Sequence, residues 1–94
     1  MADTTSEPKK PISVYDILPF VIEQMAAIAW QKLGLQHDPM TGGFDQDLSQ
    51  ARVAIDIVAY VAGNLEGQLE EEDKRQLQSL VRDLRINFVQ KSAG

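Results

Sequence analysis

Wound as a helix at about 100° per residue, the stretch DLSQARVAIDIVAYVAGNLEG (residues 47–67) carries two apolar stripes on nearly opposite sides. Leu48, Ala51, Ile55, Val58, Ala62 and Leu65 form one stripe, and Val53, Ile57 and Tyr60 form the other. The polar remainder, Ser49, Arg52 and Asp56, is a narrow strip. A helix apolar on two sides has to be covered on two sides. That requirement decides what else the chain must supply.

The segment ISVYDILPFVIEQMAAIAWQKLG (residues 12–34) makes a similar demand. Ile17, Val21, Met25 and Ile28 lie on one side, and Ile22, Ala26, Ala29, Trp30 and Leu33 continue round the helix. The segment LEEEDKRQLQSLVRDLRINFVQ (residues 69–90) is different. It has one stripe, Leu77, Leu80, Val81, Leu84 and Phe88, with only Ile86 and Val89 outside it. Alternation never persists long enough for a strand. The expected fold is all-α, a three-helix antiparallel arrangement at about 19–33, 47–65 and 70–90. Three such helices cannot wrap one another completely, and the simplest missing cover is a second copy of the chain. The expected oligomer, with a dimer favoured, uses Val21, Met25, Ile28 and Trp30 of the first helix. Val53, Ile57 and Tyr60 of the second helix complete it. A monomeric three-helix bundle with an exposed patch is the plainer alternative.

Boundaries follow from caps and breakers. Ser13 with Asp16 has the spacing of a capping box, and Ile12 with Ile17 that of a hydrophobic staple. Pro19 then falls beyond the first turn, where its ring opposes helix. Either a short turn at 13–18 kinks into the main helix, or the main helix starts near Pro19. The tolerance of first turns for proline favours the second. Gly34 is a natural terminator, and Leu35 is expected to tuck back under that end. Asp47 is placed to cap the second helix, with Gln50 at the box position. Glu70, Glu71, Glu72 and Asp73 suit the positive end of the third helix dipole. Glu70 with Lys74 and Glu71 with Arg75 are expected pairs four residues apart.

Of the 94 residues, the first twelve read as a disordered tail broken by Pro8 and Pro11, and residues 13–91 as a single helical domain. Residues 92–94 are expected to fray. About 75–80 residues remain for a core, near the size where a domain is marginal alone. With no Cys there is no disulfide or thiolate metal site. Neither a signal-peptide pattern nor a transmembrane run is present, so a cytoplasmic protein without membrane contact is expected. A net charge of −5 disfavours general binding to nucleic acid or anionic membrane.

No convergent catalytic, cofactor-binding or metal-binding constellation emerges, and the chain is expected not to be an enzyme. His37 is the sole His. With Asp38, Asp45 and Asp47 it could bind a cation, but Met40 and Gly42 stand where a calcium loop needs oxygen side chains. Turn and cap roles explain these residues more simply. Ser49 and Ser79 have no predictable base. Asp56 and Asp83 could form a carboxylate pair for acid–base work, though nothing in the sequence brings them together. Asp56 is better read as the ion-pair partner of Arg52 or Arg85 beside an interface. Lys74, Arg75, Arg82 and Arg85 fall within about 100° of one another on the third helix. They could contact RNA phosphates or an acidic protein partner; a solvated flank, neutralised by Glu71 and Asp56, is the plainer account.

Four motifs carry a resemblance. They are F-V-I-x-x-M-A-x-x-A-W-x-x-L-G-L from Phe20 to Leu35, P-x-T-G from Pro39 to Gly42, D-L-x-x-A-R-x-A-I-D from Asp47 to Asp56, and D-L-R-I-N-F-V from Asp83 to Val89. In this order and spacing, over about residues 18–90, the chain resembles the domain of unknown function family 1844. The resemblance implies a small, soluble, bacterial, α-helical protein and no particular activity. One turn departs from the family pattern. Where the family usually carries a basic K-T-K-G-N-L, this chain has Asn64, Leu65, Glu66, Gly67, Gln68 and Leu69. Any anion held by that turn elsewhere in the family is not expected here.

Overall fold

A computed structural model describes residues 10–94. Three helices follow in order: α1 (Val14–Lys32), α2 (Leu48–Leu65) and α3 (Glu71–Ala93), with a short 3-10 turn, Glu66–Gln68, between the last two. No strand occurs among the described residues. The expected all-α arrangement of three packed helices is therefore present. Most of the expected tail, residues 1–9, lies outside the described residues, and residues 10–12 precede α1 without regular structure.

The start of α1 corrects the expectation. The helix does not begin at Pro19; it runs from Val14 through Pro19 without a break. The capping box prevails over the proline. The Asp16 carboxylate accepts the Ser13 N–H at 3.0 Å. The Ser13 hydroxyl oxygen accepts the Tyr15 N–H at 3.1 Å. Pro19 deletes one backbone bond, to the carbonyl of Tyr15, an exposed residue near the end of the helix. The Ile12–Ile17 staple does not form, since Ile12 is 79% exposed. Ser13→Ala should lower stability by about 1 kcal/mol. Thermal unfolding with helical content followed by circular dichroism checks this; no change would place the helix start elsewhere.

The other end of α1 closes as a Schellman motif. Gly34 adopts φ +82°, donating its N–H to Gln31 O at 2.9 Å while Leu35 donates to Trp30 O at 3.0 Å. Leu33, not Leu35, supplies the buried apolar group there; Leu35 remains exposed because the motif turns it away from the core. At its far end α3 reaches Ala93 rather than stopping near residue 90, since no breaker precedes Gly94.

α1 and α2 form an antiparallel hairpin. Their contact is built from Ile22, Ala26, Ala29 and Leu33 against Ala51, Ala54, Ile55 and Val58, all buried. Alanines let the two backbones approach closely, and five of the eleven buried hydrophobics are Ala. The interior is thin as a result. α3 packs mainly on α2 and barely touches α1. Its stripe seals the hairpin groove, with Leu84 fully buried and Leu77, Leu80, Val81 and Phe88 half-buried around it. The molecule measures 57 × 33 × 19 Å. Its smallest dimension accommodates two layers of helices at most. One layer is the hairpin and the other is α3, so no described helix lies over one broad side of the hairpin.

Candidate functional site

Two hollows locate α3 on one flank of the hairpin. Pro19, Ile22 and Leu65 meet Leu69, Leu77 and Leu80 in one. In the other, Arg52, Ile55 and Asp56 meet Arg85, Phe88 and Val89. The opposite flank is marked by a third hollow that joins Val14, Tyr15 and Leu18 of α1 to Tyr60, Val61 and Asn64 of α2. Steps of three and four residues continue that flank along each helix. On α1 they lead from Leu18 to Val21, Met25 and Ile28; on α2 they lead back from Tyr60 to Ile57 and Val53.

Six of the seven interface candidates therefore share the uncovered side of the hairpin. Met25 and Ile57 lie toward its centre. Val21 and Ile28 lie toward the outer edge of α1, and Val53 and Tyr60 toward that of α2. Ile57 is 38% exposed, Val53 59% and Tyr60 75%. Trp30 stands apart. It follows Met25 by five residues, about 140° round the helix; both are half-buried against the core, on different sides of α1. Two helices about 9 Å apart over about four turns present a projected face on the order of 400 Å². That is the size of the largest apolar patch on an ordinary monomer, and such a patch is often functional. Within it α2 contributes no charged side chain, and the α1 cation at its edge, Lys32, pairs with Asp45 at 3.7 Å.

The basic candidates on α3 divide. Lys74 pairs with Glu71 at 3.3 Å and Arg75 with Glu72 at 3.5 Å. Both pairs are three residues apart, not the four expected, because each cation leans back toward the nearer carboxylate of a crowded first turn. Arg82 donates to the Ser79 hydroxyl oxygen at 3.1 Å. Among the described residues, neither Arg82 nor Arg85 forms an ion pair. Asp56 faces Arg52 at 3.9 Å with both side chains largely exposed, so this pair is not buried. Asp56 and Asp83 are both exposed and no hydrogen bond joins them.

Between α1 and α2 the chain turns on its own bonds. Asp38 accepts the Met40 N–H on its carboxylate at 2.8 Å. Its carbonyl accepts the N–H of Gly42, which adopts φ +76°. The His37 ring lies 4.1 Å from the Phe44 ring, a packing role the sequence did not reveal. Asp45 holds Lys32, and Asp47 caps α2. No group of three or more His, Cys, Asp or Glu among the described residues is placed to hold a metal ion. No described helix is long and apolar enough to cross a membrane. The Asn64–Leu69 register spans the end of α2 and the 3-10 turn, with Glu66 beside Gly67.

Asp47 carries the one perturbed carboxyl among the described residues. The Gln50 N–H and then the Ser49 hydroxyl donate to it and hold its pKa below the ordinary 3.8. A depressed carboxyl stabilises the fold above its unfolded pKa, and that contribution is lost as pH falls through the folded value. Asp47→Asn keeps an acceptor but cannot titrate. The wild type should be the more thermally stable of the two at neutral pH, and its advantage should vanish well below pH 3.8. Melting temperatures measured across that range check the sign; a constant difference would show that the charge contributes nothing.

A family model described as Domain of unknown function (DUF1844) matches residues 15–90. No curated protein and no solved structure matches the chain.

Proposed function

The chain belongs to the DUF1844 family, whose name carries no activity, and on that footing we propose that it is a non-enzymatic, self-associating helical module. Two copies would meet through the uncovered side of the α1–α2 hairpin. The observation that carries this reading is the exposure of Ile28 on α1 and of Val53, Ile57 and Tyr60 on α2, on the flank where Leu18 of α1 meets Tyr60 and Val61 of α2 and α3 does not reach. A two-fold axis through the face places each stripe against its own copy or its neighbour, as a self-complementary surface requires. Pairing the hairpins buries the apolar surface that the thin alanine core leaves outside. It also adds a third and fourth layer to a molecule two layers thick.

The non-enzymatic part rests on chemistry. The described core has no buried polar or charged residue. The exposed carboxylates of the loop are engaged in turns, a cap and an ion pair. The assembled dimer would present two identical α3 surfaces facing away from the shared hairpin layer, suited to binding other proteins. Sedimentation at graded concentrations tests the self-association, and the variants that separate face from core are argued in the Discussion.

A further inference from the structure

We propose that the furrow between α2 and the C-terminal half of α3 receives an acidic amphipathic helix of a partner protein. This surface lies on the α3 flank, away from the self-association face, and does not depend on that reading.

The furrow has an apolar floor and a rim with more cations than anions. Ile55, Phe88 and Val89 line it, with Arg52 and Arg85 at its sides and one carboxylate, Asp56, beside Arg52. It continues along α3 past Val81, Arg82 and Ile86. Ile86 and Val89 are the two α3 hydrophobics outside the buried stripe, and Val89 is 64% exposed. Both therefore sit where a docked apolar side chain would cover them. Arg82 and Arg85 form no ion pair among the described residues, on a chain of net charge −5. Among the described residues Arg52 pairs only with Asp56, at 3.9 Å and with both side chains largely exposed. Three guanidiniums beside exposed aliphatics call for a ligand with carboxylates and apolar groups at helical spacing.

Nucleic acid fits less well. Phe88, half-buried, is a single ring in the furrow's lining where a strand of bases needs several to stack on, and the net negative charge opposes a polyanion. A second copy fits less well too. Its acidic run, Glu70 to Asp73, adjoins Leu69 and Leu77, which are already packed against its own core. The acidic helix must come from another protein.

The test uses the full chain and a fluorescein-labelled synthetic peptide of about 18 residues, five helical turns, with Leu at helical spacing and Glu between. A Lys-for-Glu counterpart and a single-stranded oligouridine serve as the other arms, all read by fluorescence anisotropy. The acidic peptide should bind, and more weakly as salt rises. Arg82→Gln/Arg85→Gln should raise its Kd about tenfold or more. Val89→Ser should weaken it as well, while both variants keep the wild-type helical content and sedimentation. No binding of the acidic peptide, equal binding of the Lys peptide, or binding that survives loss of both arginines overturns the proposal. So does displacement of the peptide by the oligouridine.

Discussion

Replacing Ile57 by Asp should turn a dimer of this chain into a folded monomer. Ile57 lies near the middle of the uncovered hairpin face, and a two-fold contact would bring two new carboxylates into one apolar interface. An uncompensated buried charge costs about 3–5 kcal/mol, so the dimer Kd should rise by about three orders of magnitude. In the isolated chain the position is 38% exposed, and the carboxylate can reach water without disturbing the core. Circular dichroism should therefore remain that of a folded helical protein. Val53→Asp, at a more exposed edge position, should act in the same direction with a smaller effect. A dimer that tolerates both changes would move the interface to another surface.

The second large effect concerns how α3 is held. Leu84→Ala should destabilise the chain by about 3 kcal/mol, through lost apolar burial and the cavity left behind. Leu84 is the one α3 side chain with no exposed surface. α3 contacts α1 only slightly, so its attachment depends on the stripe that Leu84 centres. For a domain this small, a loss of that size is a large share of total stability. Ile86→Ala serves as the control. Ile86 lies on the same helix but is 47% exposed, and its truncation should change stability by less than about 0.5 kcal/mol. Urea unfolding of both variants reads the difference directly. Equal effects would mean that α3 is not seated by the stripe described here.

The two cases also show what the sequence could reveal. Periodicity separated Leu84 from Ile86, and the same counting found two apolar sides on α2. Short-range chemistry was equally readable: Asp47 caps α2 and Gly34 ends α1 because each needs only its immediate neighbours. Two local rules compete at Pro19, and the Ser13–Asp16 box outweighs the one hydrogen bond that the proline removes. The ion pairs at the start of α3 shifted by one residue because flexible side chains in a crowded turn choose among near-equal partners. Trp30 and Met25 are both half-buried against the core, and the angle of about 140° between them places the two on different sides of α1. The ring contact of His37 with Phe44 depends on the loop's path, which no periodicity encodes. The α2–α3 furrow was only half visible. The arginines could be counted on a wheel, but their loss of partners and the nearness of Arg52 arise from the packing of α3 on α2.

The central claim is that the bare hairpin face is covered by a second copy. Sedimentation equilibrium of the wild-type chain, from low to high micromolar concentration, tests it most directly. The predicted result is a mass of twice the 10.5 kDa chain, falling to the single-chain value for Ile57→Asp. A wild-type mass of 10.5 kDa held up to about 200 µM, a concentration at which even weak association is visible, would contradict it.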